Sequence, residues 1–386
     1  MKILVVVPNS HFGGGVNASA MNFCNIMSKE HEVYFLDMSS KNLCTFALDG
    51  NTIIAEMSRG SKNWNITQEQ MQGARGFKKL KLCALGMVKK LTVKSGLWYR
   101  ISLKKFKEYG EFDIAIAFRQ CDPCYSFVLN KVKAKKKIAF VHGEPQFMGD
   151  ISSWKKYMPK YHKIAYVSNA VEKKFVEMYP ELAGNACTVY NMFNVEQIES
   201  KAQMAPDVEF DKSIKNIVTV ARIDNEYKQT EWIVEICKRL KEGNAPRFHW
   251  YVLGDGPDYE KTVKLAKEMG VDDVLTFTGN QKNPYAIVKN ADFTVLTSKS
   301  EAYPMVVIES LILKKAMVVA KFPSIVEMME SGVNGIIAEQ SIDSVYENVL
   351  KLLNNDNGIL DTINENLSKL TVTNEKACKQ FEEATR

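Results

Sequence analysis

The sequence predicts an α/β protein built from two doubly wound domains, and three observations carry that expectation. At 386 residues the chain is too long for one ordinary domain. Short β-branched runs alternate with helix-period segments along most of it, as in a parallel sheet with crossover helices. The alternation lapses once, over 195–213, and then restarts. The expected layout is a Rossmann-like N-terminal domain at 1–195, a linker at 196–213, a C-terminal domain at 214–370 and a closing helix at 371–386. A cleft is expected between the domains.

In the first half, strands are expected at 2–8 (KILVVVP), 32–38 (EVYFLDM), 113–119 (DIAIAFR), 136–142 (KKIAFVH) and 163–168 (KIAYVS), with weaker candidates near 44–56. Helices are expected at 16–30 and 169–179. The second half repeats the pattern with strands at 216–222, 247–254, 274–279, 292–298, 317–322 and 334–339, and helices near 341–353 and 374–386. Open sheets of this kind bind ligands at the carboxyl ends of their strands, so the post-strand loops are where chemistry is to be sought.

Composition narrows the setting. Hydrophobic residues make up 46% of the chain, ample for two cores. "MKILVVVP" has no small-residue cleavage site and reads as a first strand, which points to the cytoplasm. No apolar run approaches the ~18 residues of a membrane span, so a soluble or peripheral protein is expected. The net charge of +6 is concentrated: ten bases and no acid lie from Lys78 to Lys107, leaving −4 for the remainder. With apolar residues near helical spacing, the segment 77–107 suits peripheral docking to an anionic membrane surface, and an ordinary solvated helix face is the plainer alternative. No nucleic-acid-binding motif accompanies the charge. The pair Cys121 and Cys124 in "CDPC" reads as reduced thiols in a loop entering a helix. Zinc would need two further ligands, and redox chemistry would want different surroundings.

Three loops could carry chemistry. "PNSHFGGGVNAS" (8–19) places glycines before a helix N-terminus, an arrangement that lets backbone N–H groups approach an anion. Gly13, Gly15 and Ala18 also satisfy G-x-G-x-x-A, with Asp37 at a plausible distance for a ribose. A dinucleotide-dependent oxidoreductase or epimerase is therefore an alternative, although five residues separate strand and Gly13 where that fingerprint turns tightly. The second loop holds Arg222 and Lys228, a planar fork and a point charge that together suit a diphosphate. In the third, "TSKSEAYPMVVIESLILKKA" (297–316), a helix is expected from about Pro304. Glu309 then lies roughly 10–12 Å beyond Glu301 along the helical rise, a spacing suited to two ends of one elongated ligand. The N–H groups of Ala302, Tyr303, Met305 and Val306 lie between. A salt bridge from Glu309 to Lys314 or Lys315 is the structural alternative.

These residues resemble the retaining glycosyltransferases of family four, of GT-B fold. The resemblance rests on Glu301-x7-Glu309 together with the glycine loop, "VHGE" (141–144), "YVSNAV" (166–171), the Arg222/Lys228 pair, "LGDGPD" (253–258) and "GVNGIIAE" (332–339), in family order over most of the chain. It implies a transferase taking a nucleotide-sugar, with UDP expected, as co-substrate, with no cofactor and no metal. Arg222 and Lys228 would hold the diphosphate, Glu309 the ribose, and Glu301 with the following N–H groups the sugar. Gly14 and Gly15 would approach the diphosphate from the N-terminal, acceptor-side domain, and His142 would sit beside the sugar. The implied acceptor is a saccharide or lipid-linked saccharide, in bacterial surface polysaccharide synthesis. Ala302 stands where many members have Gly, and the Arg-to-Lys spacing varies among them. A non-catalytic nucleotide-sugar-binding module is the remaining alternative.

Overall fold

A computed structural model describes residues 1–8, 14–38, 48–56, 76, 79, 83–84, 107–243 and 245–386. His11, Gly13, nearly all of the basic segment 77–107 and residues 44–47 of the weak strand region near 44–56 lie outside them.

The chain forms two compact units. The first comprises Met1–Val167, Val171–Phe193 and Lys376–Arg386. Its sheet contains β1 (Lys2–Val7), β2 (Glu32–Asp37), β3 (Ile53–Ile54), β4 (Phe112–Ala117), β5 (Ala134–Val141), β6 (Lys163–Tyr166) and β7 (Ala186–Thr188), all parallel. Their order is β3-β2-β1-β4-β5-β6-β7. The reason for the long apolar runs is visible in β1, where Ile3 through Val7 have no exposed surface because helices cover both faces.

The second unit, Ser168–Ala170 with Asn194–Glu375, holds β8 (Lys215–Val220), β9 (Phe248–Leu253), β10 (Leu275–Gly279), β11 (Phe293–Leu296), β12 (Ala316–Ala320) and β13 (Ile336–Ala338). The parallel order is β10-β9-β8-β11-β12-β13. The chain winds outward one way from β8 and then the other way from β11. The gap between the loops that follow β8 and β11 is therefore the topological switch point, where this architecture places ligands.

Two expectations about organisation change. Within the stretch expected as a linker, Val195–Ala202 is a helix of the second unit, capped by the Asn194 side chain accepting from Gln197 N at 3.1 Å. Ile198 and Ala202 are its buried positions, an apolar pattern too short for periodicity to register. The closing helix Glu375–Ala384 returns to the first unit. There Phe381 meets Phe23 edge-on at 4.9 Å, and Gln380 accepts from the Tyr190 N–H at 3.0 Å. A further helix, Ile359–Lys369, was not expected.

Candidate functional site

The loop after β8 is shaped by its neighbour after β9. Pairing continues beyond the strands, with Ala221 N donating to Leu253 O at 3.0 Å and Ile223 N to Asp255 O at 3.1 Å. A Cβ on Gly254 would lie 1.9 Å from Ala221 O, and one on Gly256 would lie 2.1 Å from Ile223 O. Glycine is required at both positions because the backbones touch. The two glycines of "LGDGPD" thus hold the segment carrying Arg222. Arg222 itself is exposed, and no carboxylate pairs with it among the described residues.

Downstream, Lys228 N closes a turn on Asp224 O at 2.7 Å, and Gln229 takes a positive φ of 50°. The loop after β11 grips this turn: Thr297 Oγ1 donates to Lys228 O at 2.7 Å and Lys299 N to Tyr227 O at 2.9 Å. The Lys228 ammonium consequently meets the Glu301 carboxylate in an ion pair. Ser298 Oγ donates to the same carboxylate oxygen at 2.8 Å, and Ser324 Oγ holds the Glu301 carbonyl at 2.7 Å.

Pro304 caps the helix Met305–Ile312 with an extended ψ of 114°. The N–H groups of Met305 and Val306 open its first turn, where an α-helix leaves donors without intrahelical acceptors. Glu309, inside this helix, accepts from Tyr285 Oη at 3.2 Å. Neither lysine reaches it: Lys314 Nζ donates to Leu370 O, and Lys315 Nζ to Ala291 O at 2.8 Å. Both lie past the helix end, where cations satisfy carbonyls, so a tyrosine hydrogen bond stands where the alternative reading put a salt bridge. Burial pushes the Glu309 carboxyl up to about 7, with the Tyr285 bond opposing. Glu309, Tyr285, Val306, Ser310 and Thr294 line a small cavity.

In the first unit, the helix Gly15–Met27 starts directly after Gly14, whose carbonyl accepts from Asn17 N and Ala18 N at 3.1 and 3.2 Å. Asp37 ends β2 but is buried, which disfavours it as a ribose ligand. His142 follows β5; its N–H donates to Gln120 Oε1 at 3.2 Å, and its ring lies against Phe118 and Phe140. Burial pushes the imidazole down to about 3, so it is neutral at ordinary pH, and Nε2 has no partner among the described residues. A neutral ring can donate or accept a hydrogen bond.

The structure therefore gathers Lys228 and Glu301 directly and sets Arg222 earlier in the same post-β8 loop. Glu309 sits further along the helix that comes after Glu301. Gly14, Gly15 and His142 belong to the other unit. Sequence reasoning missed Tyr285, Thr297, Ser298 and Ser324. Thr297 and Ser298, four and three residues before Glu301, lie in the stretch already singled out; Tyr285 and Ser324 come from other segments.

Residues 200–369 match the family model of glycosyl transferases group 1. An uncharacterized glycosyltransferase of Methanocaldococcus jannaschii is 25% identical over 160 residues, 40% of this chain and 39% of that protein. The lipopolysaccharide 1,6-galactosyltransferase of Escherichia coli is 35% identical over 65 residues, 16% of this chain and 18% of that protein. The alignments thus span well under half the length of these relatives. Among solved structures, TarM of S. aureus, in complex with fondaparinux, alpha-GlcNAc-glycerol and UDP, superposes with a TM-score of 0.72 at 14% identity, covering 100% of both chains. The fold is that of the GT-B glycosyltransferases.

Proposed function

We propose, from the premise of a glycosyl transferases group 1 domain at residues 200–369, that this chain transfers a sugar from a UDP-sugar to a saccharide or lipid-linked saccharide acceptor. The observation that carries the reading is the Lys228–Glu301 pair at the switch point of that domain. A cation for a departing diphosphate lies beside a carboxylate for sugar hydroxyls, and a second carboxylate, Glu309, comes later in the helix.

In this reading Arg222 and Lys228 bind the diphosphate and stabilise the negative charge that develops as the nucleotide leaves, work that a metal does in other enzymes. Glu309 accepts from the ribose hydroxyls. The N–H groups of Ala302, Tyr303, Met305 and Val306 and the Glu301 carboxylate orient the sugar. In the first unit, Gly14 and Gly15 stand at the start of a helix whose N–H groups suit an anion, and the neutral His142 ring can hydrogen-bond a hydroxyl through Nε2. A double displacement needs a second carboxylate at nucleophile distance from the sugar, and this reading assigns only Glu301 to the sugar. Transfer then proceeds with retention on one face, the acceptor attacking from the side on which UDP departs.

UDP in the TarM complex and the 1,6-galactosyltransferase activity of the E. coli relative support the donor and the setting. Residues 77–107 complete the proposal as an anionic-membrane contact at the cytoplasmic face, on the strength of their charge. Liposome flotation should then show binding that needs anionic lipid and weakens with salt; no binding at low salt removes this part.

The central test is a thermal shift with UDP, GDP and NAD in parallel, without added metal. A ligand at about 100 times its Kd stabilises by ~2.7 kcal/mol, a shift of a few degrees. Stabilisation by UDP alone supports the reading. Stabilisation by NAD alone would instead make the glycine loop a dinucleotide site.

A further inference from the structure

The first unit has its own switch point, between β1 and β4, and two thiols stand there. Cys121 is the N-cap of the helix Asp122–Lys131, in extended conformation and partly exposed. Cys124 lies one turn in, completely buried, its thiol 3.3 Å from Val6 O at the end of β1. The two stand three residues apart across the first turn of one helix, which Tyr125 N closes on Cys121 O at 3.0 Å. Both are free thiols. The sequence alone did not suggest redox surroundings; the fold supplies them, by closing the helix start onto the β1 end.

We propose that Cys121 and Cys124 are a redox-active dithiol that closes to a reversible disulfide by exchange with a small disulfide such as oxidised glutathione. The asymmetry of the pair supports this. The Cys124 thiol holds Cys121 below the ordinary thiol value, with the Arg119 charge acting in the same direction and Asp122 against it. Burial pushes Cys124 well up. The exposed thiol is thus the attacking group and the buried one the resolving group. The Cys121 thiolate attacks one glutathione sulfur, the glutathione S–S bond breaks, and the first glutathione leaves with a proton. Cys124 then attacks the Cys121 sulfur and expels the second glutathione, which takes the Cys124 proton. Two thiols and one glutathione disulfide become one protein disulfide and two glutathiones. The side chain of the neighbouring Gln120 accepts from the His142 backbone N–H at 3.2 Å.

The experiment equilibrates the whole protein with glutathione and glutathione disulfide at varied ratio, quenches with acid, blocks thiols with maleimide and maps unreduced peptides by mass spectrometry. The 121–124 peptide should lose the mass of two hydrogens and take no maleimide, and dithiothreitol should restore both sites. In Cys124→Ser, Cys121 should instead retain one glutathione. A native protein in which Cys121 stays a free thiol, or retains glutathione as the Cys124→Ser variant does, overturns the proposal. The readout is independent of any transferase activity.

Discussion

Lys228 and Glu301 neutralise each other across two loops that are 73 residues apart in sequence, and Ser298 shares the same carboxylate oxygen. Their side chains are only 23% and 16% exposed. A part-buried pair of this kind is costly to break from one side, because the partner is left charged without compensation.

Glu301→Gln keeps the shape of the side chain and removes the charge. Transfer should fall by on the order of 100-fold, with UDP affinity changed much less. No covalent glycosyl-enzyme should accumulate; intact-protein mass spectrometry of the variant with donor checks this, and an adduct would sink the one-face mechanism.

Arg222 is the opposite case, exposed and without a carboxylate partner among the described residues. Arg222→Ala should leave the melting temperature nearly unchanged, since surface substitutions of this kind stay within ~0.5 kcal/mol. UDP binding by calorimetry should weaken by about 10- to 100-fold, the loss of a charge-assisted phosphate contact. Equal affinity would remove Arg222 from the diphosphate site.

Gly256→Ala tests how Arg222 is held. The added methyl meets Ile223 O at 2.1 Å, a backbone atom that can yield only by moving the loop. We expect a loss of about 2 kcal/mol or more, read as a lower denaturation midpoint, together with weaker UDP binding. A variant with wild-type stability would mean that the loops after β8 and β9 are not in close contact.

In the proposed reading, Glu309 makes nucleotide binding sensitive to pH. Its carboxyl is raised in the folded chain to about 7, above its unfolded value, so the folded state binds the extra proton between the two. Stability contributed by this group is therefore present at low pH and declines as pH rises through that window. Ribose hydroxyls donate best to the ionised form, so UDP affinity should increase from pH 6 to pH 8, by several-fold more in the native protein than in Glu309→Gln. Tyr285→Phe removes the hydrogen bond that favours the carboxylate and should shift this dependence to higher pH. Identical profiles for native protein and Glu309→Gln would place the ribose elsewhere.

Much of the fold was legible because parallel strands buried on both faces leave a plain mark. β1 reads as KILVVV, and β12 as AMVVA. The helix start at Pro304 was legible too, because proline fits the entry of a helix, where its missing N–H costs no hydrogen bond, and is disfavoured deeper inside. Helix Val195–Ala202 was not, because two buried positions in eight make no period. Tyr285 escaped for another reason: its hydroxyl matters only through Glu309, 24 residues away, and nothing local marks a tyrosine as a partner.

The sequence by itself determined the alternation of strands and helices, the restart of the pattern after a lapse, and the loops in which Gly14, Arg222, Lys228 and Glu301 lie. Local propensity and hydrophobic period record these, since each depends on neighbours within a few residues. Tertiary structure alone decided that β8 lies beside β11, that Lys228 spends its charge on Glu301, that Glu309 faces a tyrosine and no lysine, and that the last helix packs on Phe23. These depend on strand order and on contacts across tens to hundreds of residues, which burial and hydrogen-bond satisfaction select only once the whole unit closes.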